Sequence, residues 1–389
     1  MRICGIIAEY NPFHNGHKFH IENARRLSSA DGIIVVMSGS FVQRGQPALF
    51  DKYVRAKTAV LCGADLVIEL PFCFSSAPAQ FFAEGGIKLL SATGIVNSVC
   101  FGSECGDLNT LLKLTQSPEN LKPYLDKGMS YPSACAAASD FSISQPNDIL
   151  AVEYLRAISL YAPNITPYAL KRCDKGYHSD EAKNGFASAS LLRDMIVSSG
   201  FGSVKPYLPE KVYDILYNEY TVGNYIDSSL LDALILGKIR SGESLKSTAY
   251  VSEGLENRFF DKSFDAISIS ELISAVKTKR YTHARLSRII SAFSVGLSDD
   301  LLGEFVKSGP GYLRVLASND TGKKMLSQIK KRGSLPVITT PSSYKKLDLL
   351  SQKMFELDCM SGDIAALAKK NPALRKGRQD FNKLNIFSD

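Results

Sequence analysis

The sequence predicts an α/β fold in which a doubly wound parallel sheet is followed by a mainly helical, basic region. Three observations predict it. Short apolar runs alternate with helical patterns four times within the first hundred residues, the arrangement that builds parallel sheets through right-handed crossovers. Beyond residue 200 the helical period dominates. The charge divides at the same place: residues 1–200 hold 18 Lys/Arg against 18 Asp/Glu, and residues 201–389 hold 28 against 21, so the whole net charge of +7 lies in the second half. Two domains, 1–200 and 201–389, are therefore expected, the second facing a polyanion.

The elements follow in order. Ile3–Ala8 is an apolar run suited to a buried parallel strand. Pro12 to about Leu27 reads as a helix, with Asn11 as its cap and Pro12 at its first position. Gly32–Met37 is the second strand, Asp51–Cys62 a helix, Asp65–Leu70 the third strand, Ala77–Leu90 a helix and Asn97–Phe101 the fourth strand. Pro146–Tyr161 is helical, Thr166–Arg172 extended and Ser188–Val197 helical. Gly200, Gly202, Pro206 and Pro209 mark the boundary. Helices are expected over Glu210–Tyr220, Ser228–Arg240 and Ser268–Phe293, and a helix over Gly322–Arg332 lies between the apolar runs Leu313–Leu316 and Leu335–Thr339.

Composition excludes several classes. Apolar residues make up 45% and charged residues 22% of the chain, the profile of a globular protein. No apolar run approaches the roughly 18 residues of a membrane span, and the N-terminal apolar stretch meets Glu9 before any cleavage signal. None of the eight cysteines forms a C-x-x-C pair, so neither a zinc site nor a disulfide framework is indicated. Buried thiols in a reducing, cytoplasmic compartment are expected.

The segment Asn11-Pro12-Phe13-His14-Asn15-Gly16-His17 directly follows the first strand. A turn here delivers His14 to a helix N-terminus, where free N–H groups and the helix dipole favour phosphate. His14 and His17 are three residues apart and share a helical face, and Gly16 leaves room for a ligand to reach the backbone. Donors placed there can stabilise charge on an α-phosphate as pyrophosphate leaves. The alternative is a pair of surface or capping histidines. Further on, Ala187-Ser188-Ala189-Ser190-Leu191-Leu192-Arg193 places two hydroxyls at a helix start and an arginine one turn later, a second phosphate-binding combination.

These two segments resemble the H-x-G-H and I-S-S-T-x-x-R signatures of the nucleotidyltransferase superfamily related to class I aminoacyl-tRNA synthetases. Ala189 departs from the second pattern, while Arg193 matches it. Longer blocks resemble one family within that superfamily, the bacterial tRNA(Met) cytidine acetate ligases: Gly5–His17, Met37–Gly45, Gly63–Pro71, Phe101–Glu104, Pro146–Tyr154 and Lys171-Arg172 with Gly176-Tyr177-His178. The likeness spans nearly all of residues 1–200 and thins afterwards to Arg280–Leu286 and the Leu313–Leu316 region.

The resemblance implies a Rossmann-like fold and an enzyme that activates acetate with ATP as acetyl-adenylate, then acetylates N4 of the wobble cytidine of elongator tRNA(Met). It implies catalytic roles for His14, His17 and Arg193. ATP contacts are implied for Ile7, Ala8, Glu9, Tyr10, Asn11, Pro12, Phe13, His14, Asn15, Gly16, His17, Lys18, Phe19 and His20, and for Gly102, Asn147, Arg172, Ser188 and Ser190. Mg²⁺ on the pyrophosphate is expected of the chemistry, although no ligand set identifies it. The alternatives are an adenylyltransferase for a small phosphorylated metabolite, an acetate ligase acting on an acyl-carrier thiol, and a non-catalytic RNA-binding protein.

Two further regions carry expectations. The loop Ser38-Gly39-Ser40-Phe41-Val42-Gln43-Arg44-Gly45 offers Ser38, Ser40, Phe41 and Arg44 to acetate or cytidine, with Phe41 as a stacking ring and Arg44 as an anion contact. On the following helix Lys52, Arg55 and Lys57 read equally as phosphate contacts or as a solvated face. The run from Lys277 to Arg288 holds five Lys/Arg, one His and no acid. Lys279, Arg280, Tyr281, Arg285 and Arg288 are expected to meet tRNA, with cations for its phosphates and Tyr281 for an unstacked base.

Overall fold

Among the described residues eight strands form one sheet: β1 (Ile3–Ala8), β2 (Gly32–Ser38), β3 (Leu66–Leu70), β4 (Ser98–Ser103), β5 (Thr166–Lys171), β6 (Leu313–Ser318), β7 (Val337–Ile338) and β8 (Ile386–Phe387). Their order is β5-β4-β1-β2-β3-β6-β7, with β8 pairing to β6. This computed structural model describes residues 1–115, 123, 145–172, 185–252, 254–382 and 386–387. His178, expected near substrate, lies outside the described residues.

All pairings are parallel except that of β3 with β6. Strands β2 and β3 are buried along their whole length, as a parallel sheet covered by helices on both faces requires. Their side chains alternate between two apolar layers. Ile34, Val36, Leu66, Ile68 and Leu70 face one layer, while Ile33, Val35, Met37 and Val67 face the other. The chain runs outward from β1 through β2 and β3, then returns to the opposite side of β1 with β4 and β5. That reversal opens a crevice at the carboxyl ends of β1 and β4, where ligands of open α/β sheets bind.

Several boundaries differ from the expected ones. The first helix is Asn15–Ser28 and starts three residues beyond Pro12, because His14 rather than Asn11 is its N-cap. The long helix expected over Ser268–Phe293 is two helices, Ile269–Val276 and His283–Val295. Lys277 turns the chain out of the helix at ψ 140°, and the Thr282 hydroxyl caps a new one by accepting from Arg285 N.

The expected division after residue 200 does not coincide with the edge of the sheet. Leu313–Ser318, buried throughout, joins it as an antiparallel strand beside β3. A buried ion cluster fastens the far C-terminal part as well. Lys52 Nζ lies 2.8 Å from Glu69 and 3.1 Å from Asp380, and Arg314 lies 3.2 Å from each of these carboxylates. The helices between Leu231 and Phe293 gather a third apolar cluster, which Ala368 also joins. Among the described residues no helix is long and apolar enough to cross a membrane.

Candidate active site

The residues after β1 fold into an aromatic turn. Tyr10 and Phe13 are buried, with ring centroids 4.9 Å apart, and Tyr10 meets the His17 ring edge-on at 4.8 Å. His14 and His17 stack at 3.7 Å with 29° between ring planes. Each imidazole also makes a backbone hydrogen bond through Nδ1. Gly16 N donates to His14 Nδ1 at 3.0 Å, and His14 N donates to His17 Nδ1 at 3.3 Å. This is a reciprocal capping box in which two histidines replace the usual hydroxyl and carboxylate.

The arrangement fixes the chemistry of both rings. An Nδ1 that accepts a backbone N–H carries no proton, so each neutral ring bears its proton on Nε2 and presents an N–H donor there. It also explains the glycine: a Cβ at Gly16 would sit 2.8 Å from His14 Cε1 and push the ring out of its cap. Burial first, then His14, Arg172 and His20, hold His17 well below the usual histidine range. Burial and the Arg172 charge bring His20 down to about 4. His17 and His20 are thus uncharged at ordinary pH. His20 Nε2 is buried without a hydrogen-bond partner.

Around this pair the structure gathers part of the expected set. Ile7, Ala8 and Glu9 are half-buried at the open end of β1. Asn11 Oδ1 accepts from Leu49 N at 2.8 Å, and Pro12 is buried in the turn. Arg193 Nη1 donates to Asn11 O at 2.7 Å, so the helix Ala189–Ser199 grips the motif directly. Ser188 caps that helix by accepting from Leu191 N, and Ser190 is half-buried on its first turn. Gly102 on β4 has the Arg172 stem above it, 3.5 Å from where a Cβ would stand. A Cβ at 102 would meet that stem at ordinary van der Waals distance.

Other expected residues have partners within the protein. Asn15 donates its amide to Gly185 O and Pro206 O, Lys18 is exposed and 3.8 Å from Glu22, and Phe19 packs edge-on to Phe186 at 6.0 Å. Asn147 is not a helix cap. Gln145 holds that position, and the Asn147 amide donates to Glu104 Oε1 at 2.6 Å.

The loop after β2 differs most from expectation. Phe41 is 2% exposed and packs edge-on to Phe72 at 5.6 Å, so its ring is no stacking platform for a base. Ser38 is fully buried, Ser40 half-buried, and Arg44 exposed at the tip. Glu9 Oε1 accepts from Gln43 N at 2.9 Å and joins the loop to the end of β1. Arg55, fully buried, donates to the carbonyls of Phe50, Glu9, Ser38 and Gly39. Arg55 and Lys52 are thus neither phosphate contacts nor a solvated face. An arginine bonded wholly to backbone carbonyls leaves no pattern in sequence, since its partners carry no side-chain signal.

The expected RNA-binding run is also redistributed. Tyr281 precedes the helix and is 9% exposed, with Arg285 Cζ 5.2 Å from its ring centre. Arg285 donates to Tyr250 O and Ser252 Oγ, and the buried Arg288 donates to Gln43 O at 3.2 Å. Tyr281 and Arg288 therefore do not form the solvent-facing stack that helical spacing suggested. Lys277, Lys279, Arg280 and His283 are exposed.

The fold and this site define a nucleotidyl transferase of the HIGH class, and the model of that family, HIGH Nucleotidyl Transferase, matches residues 1–380. Among similar proteins, the tRNA(Met) cytidine acetate ligase of Acetivibrio thermocellus is 38% identical over 98% of this chain and 99% of its own. That of Thermoanaerobacter sp. (strain X514) is 39% identical over 96% and 97%. The crystal structure of Thermotoga maritima TmcAL bound with alpha-thio ATP is 30% identical, covers 100% of this chain and 99% of its own, and superposes with a TM-score of 0.92. The chain belongs to the tRNA(Met) cytidine acetate ligase family.

Proposed function

We propose that this chain is an ATP-dependent ligase that joins acetate to N4 of the wobble cytidine of elongator tRNA(Met). The observation that carries the reading is the pair of capping imidazoles at the end of β1, both presenting Nε2–H. Relatives along the whole chain bear the name tRNA(Met) cytidine acetate ligase, and a similar structure holds an ATP analogue.

In this reaction an acetate oxygen attacks the α-phosphorus of ATP and pyrophosphate leaves, giving acetyl-adenylate. The cytidine N4 then attacks the acetyl carbonyl, AMP leaves and N4 loses a proton. His14, His17 and Arg193 stabilise phosphate charge and do not act as nucleophiles. His14 and His17 donate to phosphate oxygens as charge shifts toward the leaving pyrophosphate, and their tautomers are set before substrate arrives. Arg193 holds the motif through Asn11 O, and Arg172 adds positive charge beside Gly102. Among the described residues no three His, Cys, Asp or Glu side chains converge on a metal position. Mg²⁺ would accordingly be held mainly by the ATP phosphates, as that ion commonly is.

Exchange of labelled pyrophosphate into ATP, with and without acetate, tests the first step. Acetate-dependent exchange is expected, and exchange indifferent to acetate would refute the reading.

A further inference from the structure

The tip of the loop after β2 and the start of the helix His283–Val295 are fastened together, although more than two hundred residues separate them in sequence. Val42 N donates to Gln46 O and Gly45 N to Val42 O, forming a tight turn with Arg44 at its tip. Both neighbours of Arg44 are tied to the helix: Arg288 Nη1 donates to Gln43 O at 3.2 Å, and Ser287 Oγ donates to Gly45 O at 3.1 Å. Gly45 has φ 74°, and a Cβ there would lie 2.5 Å from Arg288 N and 2.6 Å from Ser287 C. Only glycine allows this approach of turn to helix. The contact holds Arg44 against one face of the helix.

His283 lies one turn before Ser287 on that same face. Burial first, then the charges of Lys277 and Arg44, lower the proton affinity of His283. Thr278 N donates to Tyr281 O at 3.4 Å, a turn that folds Lys277 back toward the helix start at His283. Arg44, Lys277 and His283 are exposed, and Lys279 and Arg280 continue the basic surface. The like charges of Arg44 and Lys277 repel one another and are relieved by an anion, to which the uncharged His283 ring adds an N–H donor. Exposure and a continuing strip suit a polyanion, whereas a carboxylate or nucleotide needs an enclosed pocket.

We propose that Arg44, Lys277 and His283 form one site for a phosphodiester of the RNA substrate, built jointly by the loop after β2 and the helix His283–Val295. The inference rests on the tRNA ligase reading and deepens it. Gln43, next to Arg44, is bonded to Glu9 at the mouth of the nucleotide crevice. A strand held at this site is therefore brought beside the ATP-binding turn. Arg288 acts through the loop as a positioning residue and Tyr281 supports the segment from beneath, so neither touches RNA.

The test is equilibrium binding of a tRNA(Met) transcript to the full chain over a range of salt concentrations. R44Q, K277Q and H283Q are measured singly and together, with R44K as the conservative variant. These exposed substitutions cost little stability. The triple variant is expected to lose roughly tenfold or more in affinity, with a salt slope shallower by about 1 to 2, and R44K to retain most of the affinity. Unchanged affinity and slope in the triple variant would overturn the proposal. So would equal losses in R44K and R44Q, because a loop merely displaced from the helix would not distinguish them. Acetate-dependent pyrophosphate exchange by the unmodified chain needs no RNA, and its absence would refute the ligase reading without bearing on these binding data.

Discussion

Replacing His14 separates its capping of the helix from the phosphate-donor role proposed for its ring. His14→Asn keeps a side-chain acceptor near the Nδ1 position, and asparagine is among the preferred N-caps, so the helix Asn15–Ser28 stays capped. It removes the Nε2–H that would face phosphate. His14→Ala removes both. Stability of the Asn variant should lie within about 0.5 kcal/mol of the parent, while the Ala variant should lose about 1 kcal/mol more through the missing cap. Loss of one preorganised donor from developing charge typically slows catalysis by about a hundred- to a thousandfold. Both variants should therefore show that loss in acetate-dependent pyrophosphate exchange. Denaturant unfolding and exchange kinetics on the same preparations separate the effects. Exchange by His14→Asn within a few-fold of the parent would refute the donor role, and equal stabilities of the two variants would refute the capping role.

Two other perturbations follow from the geometry. Gly45→Ala combines a left-handed φ with a Cβ 2.5 Å from the Arg288 backbone. It should cost about 1 kcal/mol or more and lower the rate of tRNA acetylation beyond any change in pyrophosphate exchange; proportional losses in both steps would contradict the placement of the loop. Stability should also depend on pH through the buried imidazoles. Folding lowers His20 to about 4 and His17 in the same direction, so the unfolded chain binds more protons between that value and about 6.5. Stability from this source is complete above about pH 6.5 and declines as pH falls, His20 alone removing up to about 3 kcal/mol near pH 4. Urea unfolding of the parent and His20→Asn between pH 5 and 7.5 checks it, the variant showing the flatter dependence. A parallel dependence in both would contradict the assignment.

What sequence reveals about this chain follows from which interactions are local. Runs such as Gly32–Ser38 and Leu66–Leu70 read directly as buried strands, because both faces of each are apolar. The H-x-G-H turn is legible as the start of a helix, since its glycine and its two rings lie within four residues, although the cap is His14 and not the expected Asn11. Non-local contacts leave weaker traces. The apolar character of Leu313–Leu316 is visible, but its antiparallel place beside β3 depends on a partner far away in sequence. Helical spacing merges Ser268–Phe293 into one helix, because nothing in an apolar period marks the turn at Lys277. Charge is the most misleading signal. Lys52, Arg55 and Arg288 look like surface cations, yet Lys52 is spent on Glu69 and Asp380, Arg55 on four carbonyls and Arg288 on Gln43 O.

The central claim is that a turn capped by two imidazoles activates acetate for transfer to tRNA. It is tested most directly by incubating an elongator tRNA(Met) transcript with the chain, ATP and labelled acetate, then analysing the nucleosides by mass spectrometry. Labelled N4-acetylcytidine is expected at the wobble position with the parent chain, and a loss of about a hundredfold or more in its rate of formation with His14→Asn. Labelled acetate elsewhere in the RNA, or parent-like labelling by the variant, would contradict it.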